Sequence, residues 1–340
     1  MNASLRPSLR LVTLAFASAI LFTAFGNAAQ AADANAPRVT FDGAIRNNSL
    51  ALSPDESMAV ASYSERSEVI AYDLKSNTVR GMLSTFITPR NIVFSPDGKV
   101  FYVSDSSLGE VVKIDSATLK PLSSLTAGAG AFGTALSRDG GMLYVNNQAA
   151  STVTRFDTAS ERARAVIPGF AQPRQGVRLS PDGSKVYVTN FLGDKVTIVD
   201  SKTDKIDGEI TGFNKIRAIS VTADGKTMFA ANSGSNTIAV VDINDKKVTS
   251  TIPVGKDPYG AALTPDGRYV YSGNLADNTV SVIEVATLKV VATIAGFKQP
   301  RQAIVFTRDG KTAYVLNEDL SVSKVDRSTQ QIVATLAAAK

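Results

Sequence analysis

A short turn written seven times decides most of what this chain can become. Ser/Thr-x-Asp opens at Ser53, Ser95, Ser137, Ser180, Thr222, Thr264 and Thr307, and Gly follows in every copy except the first, where Glu56 stands. Successive copies lie 42, 42, 43, 42, 42 and 43 residues apart. In such a turn Asp bonds back to its own backbone and Gly accepts positive φ. Two more columns keep the same register. Seven residues after each opening come Val60, Tyr102, Tyr144, Tyr187, Phe229, Tyr271 and Tyr314; twenty residues after come Asp73, Asp115, Asp157, Asp200, Asp242 and Glu284. The seventh acid, Asp326, falls one residue early, which places a deletion around 317–320. A fixed period in the forties, built of short apolar runs and turns, predicts a β-propeller of four-stranded blades. The expected fold is all-β: a seven-bladed β-propeller with antiparallel blades opening near residues 49, 91, 133, 176, 218, 260 and 303. A ring of blades is one unit, so residues 32–340 form a single domain although 340 residues would allow two.

Within blade four the pattern predicts an inner strand over 176–179, then strands over 185–189, 195–200 and 205–210. Val, Ile, Tyr and Thr dominate them, as packed sheet requires. Alternation is weak because a blade is covered on both faces, so the aromatic column belongs to the core. The acids that end the third strands, like those of the Ser-Pro-Asp-Gly turns, are expected to build turns and not to hold a metal. Two segments compete to close the ring: 331–336 as the outer strand of blade seven, and 38–41 ahead of blade one. Both are expected to pair with blade seven.

Blade four carries Tyr187-Val188-Thr189-Asn190. With the seven-fold turns, this run resembles the YVTN-repeat propellers, the YncE-like family, over nearly all of residues 38–340. The chain departs from that pattern at Val60-Ala61-Ser62-Tyr63 and at Ser272-Gly273-Asn274. The resemblance implies DNA as one candidate ligand.

Arg6 and Arg10 precede an apolar run over 11–25, and Ala29-Gln30-Ala31 supplies a small-x-small cleavage pattern. Residues 1–31 therefore read as a cleavable secretory signal peptide, so the mature protein is expected in the periplasm if the cell has two membranes and outside the cell otherwise, with no later membrane span; a monomer is expected. The chain contains no Cys, no His and no Trp. That excludes disulfides, thiolate nucleophiles and haem attachment through Cys, and it removes the commonest general base and transition-metal ligand. No cofactor, metal site or catalytic residue is expected. Net charge is +5 for the whole chain and +3 for residues 32–340, too little by itself to imply a polyanion partner.

The segments that lead into each inner strand hold the most pointed feature. Blade four enters through Gly169-Phe170-Ala171-Gln172-Pro173-Arg174-Gln175, and blade seven through Gly296-Phe297-Lys298-Gln299-Pro300-Arg301-Gln302. Blades two and five place Arg90 and Arg217 at the matching point, blades three and six Phe132 and Tyr259, and blade one Asn48 with Arg46 nearby. On a closed wheel these become neighbours at one mouth of the central channel. The candidate site is therefore Arg90, Phe132, Arg174, Gln175, Arg217, Tyr259, Arg301 and Gln302, with no acid in the column. Either each Arg staples the adjoining blade, or the guanidinium forks converge on an anion. Glu65, Glu68, Asp105, Glu110, Asp194, Asp277, Glu318 and Asp319 are expected to form an acidic rim around that centre.

Three function classes follow. A non-catalytic envelope propeller would bind an anionic small molecule, an acidic protein loop or single-stranded nucleic acid; for the last, Phe132 and Tyr259 are the available stacking rings. A protein–protein interaction scaffold would use the variable rim loops. A lactonase-like hydrolase is the catalytic alternative, because the propeller resembles lactonases in outline; no Gly-x-Ser-x-Gly elbow supports it.

Overall fold

A computed structural model describes residues 46–338; the expected signal segment and the segment 38–41 lie outside them. Each 42–43-residue repeat folds into one four-stranded sheet of consecutive strands, and there are seven such sheets, each in simple meander order. The blades span 48–83, 89–126, 131–167, 173–210, 216–253, 262–295 and 304–336. In blade four the strands are Pro173–Leu179, Lys185–Asn190, Lys195–Asp200 and Lys205–Ile210. The inner strand begins earlier than expected, through a register irregularity between Pro173 and Val177. Blade seven is completed by its own strand Gln331–Leu336, paired with Val322–Asp326.

The core lies between blades. The whole aromatic column is buried, from Val60 and Phe229 at 0% exposure to Tyr102 and Tyr314 at 4%. Tyr187 of blade four, for instance, packs with Ile219 and Met228 of blade five. Each of the seven junctions has such a cluster, and the one between blades seven and one joins Tyr72 and Leu50 to Tyr314 and Leu336. That seam is non-covalent. It also carries hydrogen bonds: Tyr72 Oη donates to the Leu320 carbonyl at 2.5 Å, Gln302 Nε2 to the Asn48 carbonyl at 2.6 Å, and Arg308 Nη2 to the Pro54 carbonyl at 2.7 Å. Glu56, the residue that replaces turn Gly in blade one, accepts the Arg308 backbone N–H.

The turn chemistry is the same in all blades. The opening hydroxyl donates to Asp Oδ1, as in Ser53 to Asp55 at 2.6 Å and Thr264 to Asp266 at 2.5 Å. The same Asp oxygen accepts a backbone N–H two residues on, from Lys99 to Asp97 and from Ser184 to Asp182. The third-strand acids do likewise: Asp200 Oδ1 accepts the N–H of Lys202 and Thr203. The periodicity did not announce one further repeat. Asn77, Leu119, Glu161, Asp204, Lys246, Leu288 and Gln330 occupy equivalent places, all with φ between 53 and 58°. This left-handed conformation costs about 1–2 kcal/mol for a side chain other than Gly. It throws the side chain onto the preceding blade: Glu161 onto Lys113 Nζ at 2.8 Å, Asp204 onto Arg155, Gln330 onto the Tyr271 hydroxyl at 2.9 Å.

Candidate functional site

The last residue of the Tyr-Val-Thr-Asn run sets the mouth. It is buried and pins the segment that leads into its own blade. Asn190 Oδ1 accepts the Ala171 N–H at 2.8 Å, Asn317 Oδ1 the Lys298 N–H at 2.9 Å, and Asp105 Oδ2 the N–H groups of Ile87 and Thr88. The third residue of the run reaches forward to the next blade. Ser62 Oγ donates to the Arg90 carbonyl at 3.1 Å, Ser104 Oγ to that of Phe132, and Asn146 Nδ2 to that of Arg174. In blade six the equivalent residue is Gly273, where a Cβ would overlap the Arg301 carbonyl oxygen. The departure of blade six from the repeat is thus a close approach of two backbones. The mouth residues Arg90, Phe132 and Arg174 are thus each held by the blade before them.

The side chains form a belt in which cations alternate with rings. The Arg90 guanidinium lies 4.5 Å from the Phe132 ring centroid and Arg174 3.3 Å from that of Phe191. Arg217 lies 5.7 Å from Phe191 and 4.5 Å from Tyr259, and Arg301 5.0 Å from Tyr259. Because they share rings, Arg174, Arg217 and Arg301 follow one another within about one screening length, about 10 Å at 0.1 M salt. Each stacking contact contributes about 0.5–2 kcal/mol.

The belt is not uniform. Arg90 and Arg301 are 2% and 3% exposed. Arg90 Nε donates to Ser106 Oγ and Nη1 to Asn47 Oδ1; Arg301 Nη1 donates to the Arg46 carbonyl across the seam. These two act as staples. Phe132 is 1% exposed, beneath Arg90, so it offers no face for stacking a base and the expectation of a free ring there is corrected. The amide that meets the belt is Asn47; Asn48 is fully buried and its Nδ2 points to the Leu316 carbonyl. Arg174, Arg217 and Tyr259 remain half-buried, and Arg46 is exposed. Together with Phe132 and Gln302 they line a pocket of about 30 Å³, room for about one water. Gln175 stands beside Arg174 on the inner strand of blade four.

Phe191 escaped the column reading because it lies in the connection after Asn190, where blades differ; an aromatic in that variable loop was its signal. Arg217 Nε donates to Ser233 Oγ at 2.9 Å. Among the described residues no carboxylate lies within ion-pair distance of Arg217 or Arg301. The expected acidic rim is largely engaged elsewhere. Asp105 is fully buried and accepts four backbone N–H groups, Glu65 pairs with Arg46 at 3.5 Å, and Asp319 with Lys298 at 2.6 Å. The Lys298 contact and the Ser321 hydroxyl hold the Asp319 carboxyl below its usual range, against the opposing effect of burial. No group of three or more Asp or Glu side chains suited to a metal occurs among the described residues.

The family model described as lactonase, seven-bladed β-propeller matches residues 49–211 and 201–301. The chain belongs to this lactonase propeller family. No curated protein matches the sequence. Among solved structures, the chain is similar to hydrazine synthase of Kuenenia stuttgartiensis, with a TM-score of 0.76 and 19% identity, over 82% of this chain and 95% of that one. At that identity the similarity shows the fold alone. The sequence of this lactonase-family propeller contains neither His nor Cys.

Proposed function

We propose that this lactonase-family chain is an envelope binding propeller whose basic mouth takes a small ligand bearing a carboxylate or phosphate. The reading rests on Arg217. Its guanidinium is held between Phe191 and Tyr259 without a carboxylate in reach, and like charges sit on either side of it. Rings hold the geometry but do not neutralise the charge; an anion bound bidentately does both. The pocket is too small to engulf a ligand, so the anionic group sits on the belt and the ligand body lies outside it.

The test is a salt-titrated binding series with inorganic phosphate, a dicarboxylate and a single-stranded oligonucleotide. Binding that weakens with salt and drops about tenfold or more in Arg217→Ala supports the site, the loss expected for a charge-assisted hydrogen bond. Salt-insensitive binding kept by that variant sinks it. The oligonucleotide carries the DNA reading implied by the YVTN resemblance; preferential binding of phosphate or dicarboxylate counts against it.

Family membership favours a second reading, hydrolysis of a lactone. Water would add to the lactone carbonyl, and the oxyanion would collapse with cleavage of the ring C–O bond to give a hydroxy acid. Arg174 and Arg217 are the groups placed to stabilise that oxyanion. Turnover of a lactone by wild type and not by Arg217→Ala separates this reading from simple binding.

A further inference from the structure

The opposite end of the channel has a different character. The inner strands of blades four to seven enclose a space of about 630 Å³ that opens on the face of the Ser-Pro-Asp-Gly turns. It lies beyond a narrower lumen of about 360 Å³ through the hub. Arg178 lines both spaces and is the only charged side chain lining the inner one. Arg138, on the turn of blade three, lines the outer space and is exposed. No acid lines either space.

Arg178 stands two residues before its blade's turn. The equivalent positions in the other blades hold Ala51, Val93, Ala135, Ser220, Ala262 and Val305. Six blades thus present small or apolar side chains to the hub, and one presents a guanidinium. Packing does not account for it. Its Nη1 donates only to the carbonyl of its own neighbour Val177, at 2.8 Å, and no carboxylate lies within ion-pair distance among the described residues. The side chain is exposed to the lumen, and the desolvating ring of protein around that lumen works against the charged form. A guanidinium keeps its proton regardless. On the adjoining strand the Ser220 hydroxyl has no hydrogen-bond partner. The remaining wall is apolar: Leu179, Val221, Leu263, Val305 and Phe306.

We propose that this end of the channel is a second anion site, in which Arg178 receives the carboxylate of an organic acid whose apolar body lies against the walls of blades five to seven. Arg138 supplies the outer cation that draws the acid in. The site is separate from the basic mouth, and its occupant enters from the turn face.

Calorimetric titration with octanoate, and with inorganic phosphate for comparison, tests this in wild type, in Arg217→Ala, and in Arg178→Gln and Arg178→Lys each made in the Arg217→Ala background, where the basic mouth no longer contributes. Octanoate is expected to bind saturably and more tightly than phosphate. In the Arg217→Ala background its affinity falls at least about tenfold in Arg178→Gln and recovers in part in Arg178→Lys. No octanoate binding by wild type overturns the proposal, as does undiminished affinity in a folded Arg178→Gln. Equal affinity for phosphate in Arg217→Ala overturns the apolar half of the assignment, and loss of all octanoate binding in Arg217→Ala itself moves the ligand to the other mouth.

Discussion

A single aspartate in each Ser-Pro-Asp-Gly turn does the work of several residues. Its Oδ1 takes the opening hydroxyl and a backbone N–H, so the turn is locked around a charge. Asp55, Asp97, Asp139, Asp182, Asp224, Asp266 and Asp309 all titrate below the ordinary carboxylate range, chiefly through those bonds; for Asp266 burial opposes them. Asp182 falls to about 2, and so does Asp157 at the end of a third strand, where Ser160 and Arg164 bind it. Depressed values mean that the stabilisation is complete above the unfolded carboxylate value, about 4, and is lost as pH falls through the folded values. Thermal midpoints are therefore expected to be level from neutral pH to about 5, and to drop between about 4 and 2. Replacing Asp182 by Asn lowers the midpoint at neutral pH and shrinks the acid-induced drop. An equal drop in variant and wild type would show that these turns are not its source.

At the level of the strand, the Tyr-Val-Thr-Asn run has a physical meaning. Its Tyr fills the junction between blades, its third residue in blades one to three grips the next blade's mouth residue, and its Asn ties down the incoming segment. The run tolerates change where the same tasks are met otherwise. Asp105 replaces Asn and captures more backbone N–H groups. Gly273 replaces the gripping residue because the Arg301 backbone lies against it. Adding a methyl there forces the segment at 300–301 outward, and Gly273→Ala is expected to cost about 1–3 kcal/mol by chemical denaturation. The same change withdraws Arg301 from Tyr259, so it should also weaken anion binding at the mouth. Stability and binding both unchanged would refute the close-approach account.

Among the described residues the wheel is closed between blades seven and one by non-covalent contacts, with no strand shared across the seam. Its seam has a hydrophobic cluster like every other junction, plus hydrogen bonds from Tyr72, Gln302 and Arg308. No chain connection backs it up among the described residues, so it is where the ring should open first. Tyr72→Phe leaves the Leu320 carbonyl without that donor and is expected to cost about 1–3 kcal/mol. Amide exchange reads the difference: in this variant, protection should fall more in blades one and seven than in blade four. Uniform loss around the ring would indicate that the wheel opens as one cooperative unit, with no weak seam.

The number of blades, their order and the residues that gather at the basic mouth could all be read along the chain. The reason is that a blade buries its faces only against like neighbours, so whatever recurs every 42–43 residues must recur in space. That rule alone puts Arg90, Phe132, Arg174, Arg217, Tyr259 and Arg301 in one column of the repeat. Folding alone decided what each does there. Whether a guanidinium becomes a buried staple, as Arg90 does on Asn47 and Ser106, or stays half-open, as Arg217 does, depends on loops that do not repeat. Phe191 lies in such a loop, and the left-handed residues that bind blade to blade have no common side chain to mark them. Arg178 was visible in the sequence only as one letter of a strand; its meaning came from the closed hub, where seven inner strands leave it facing shared water with no acid beside it.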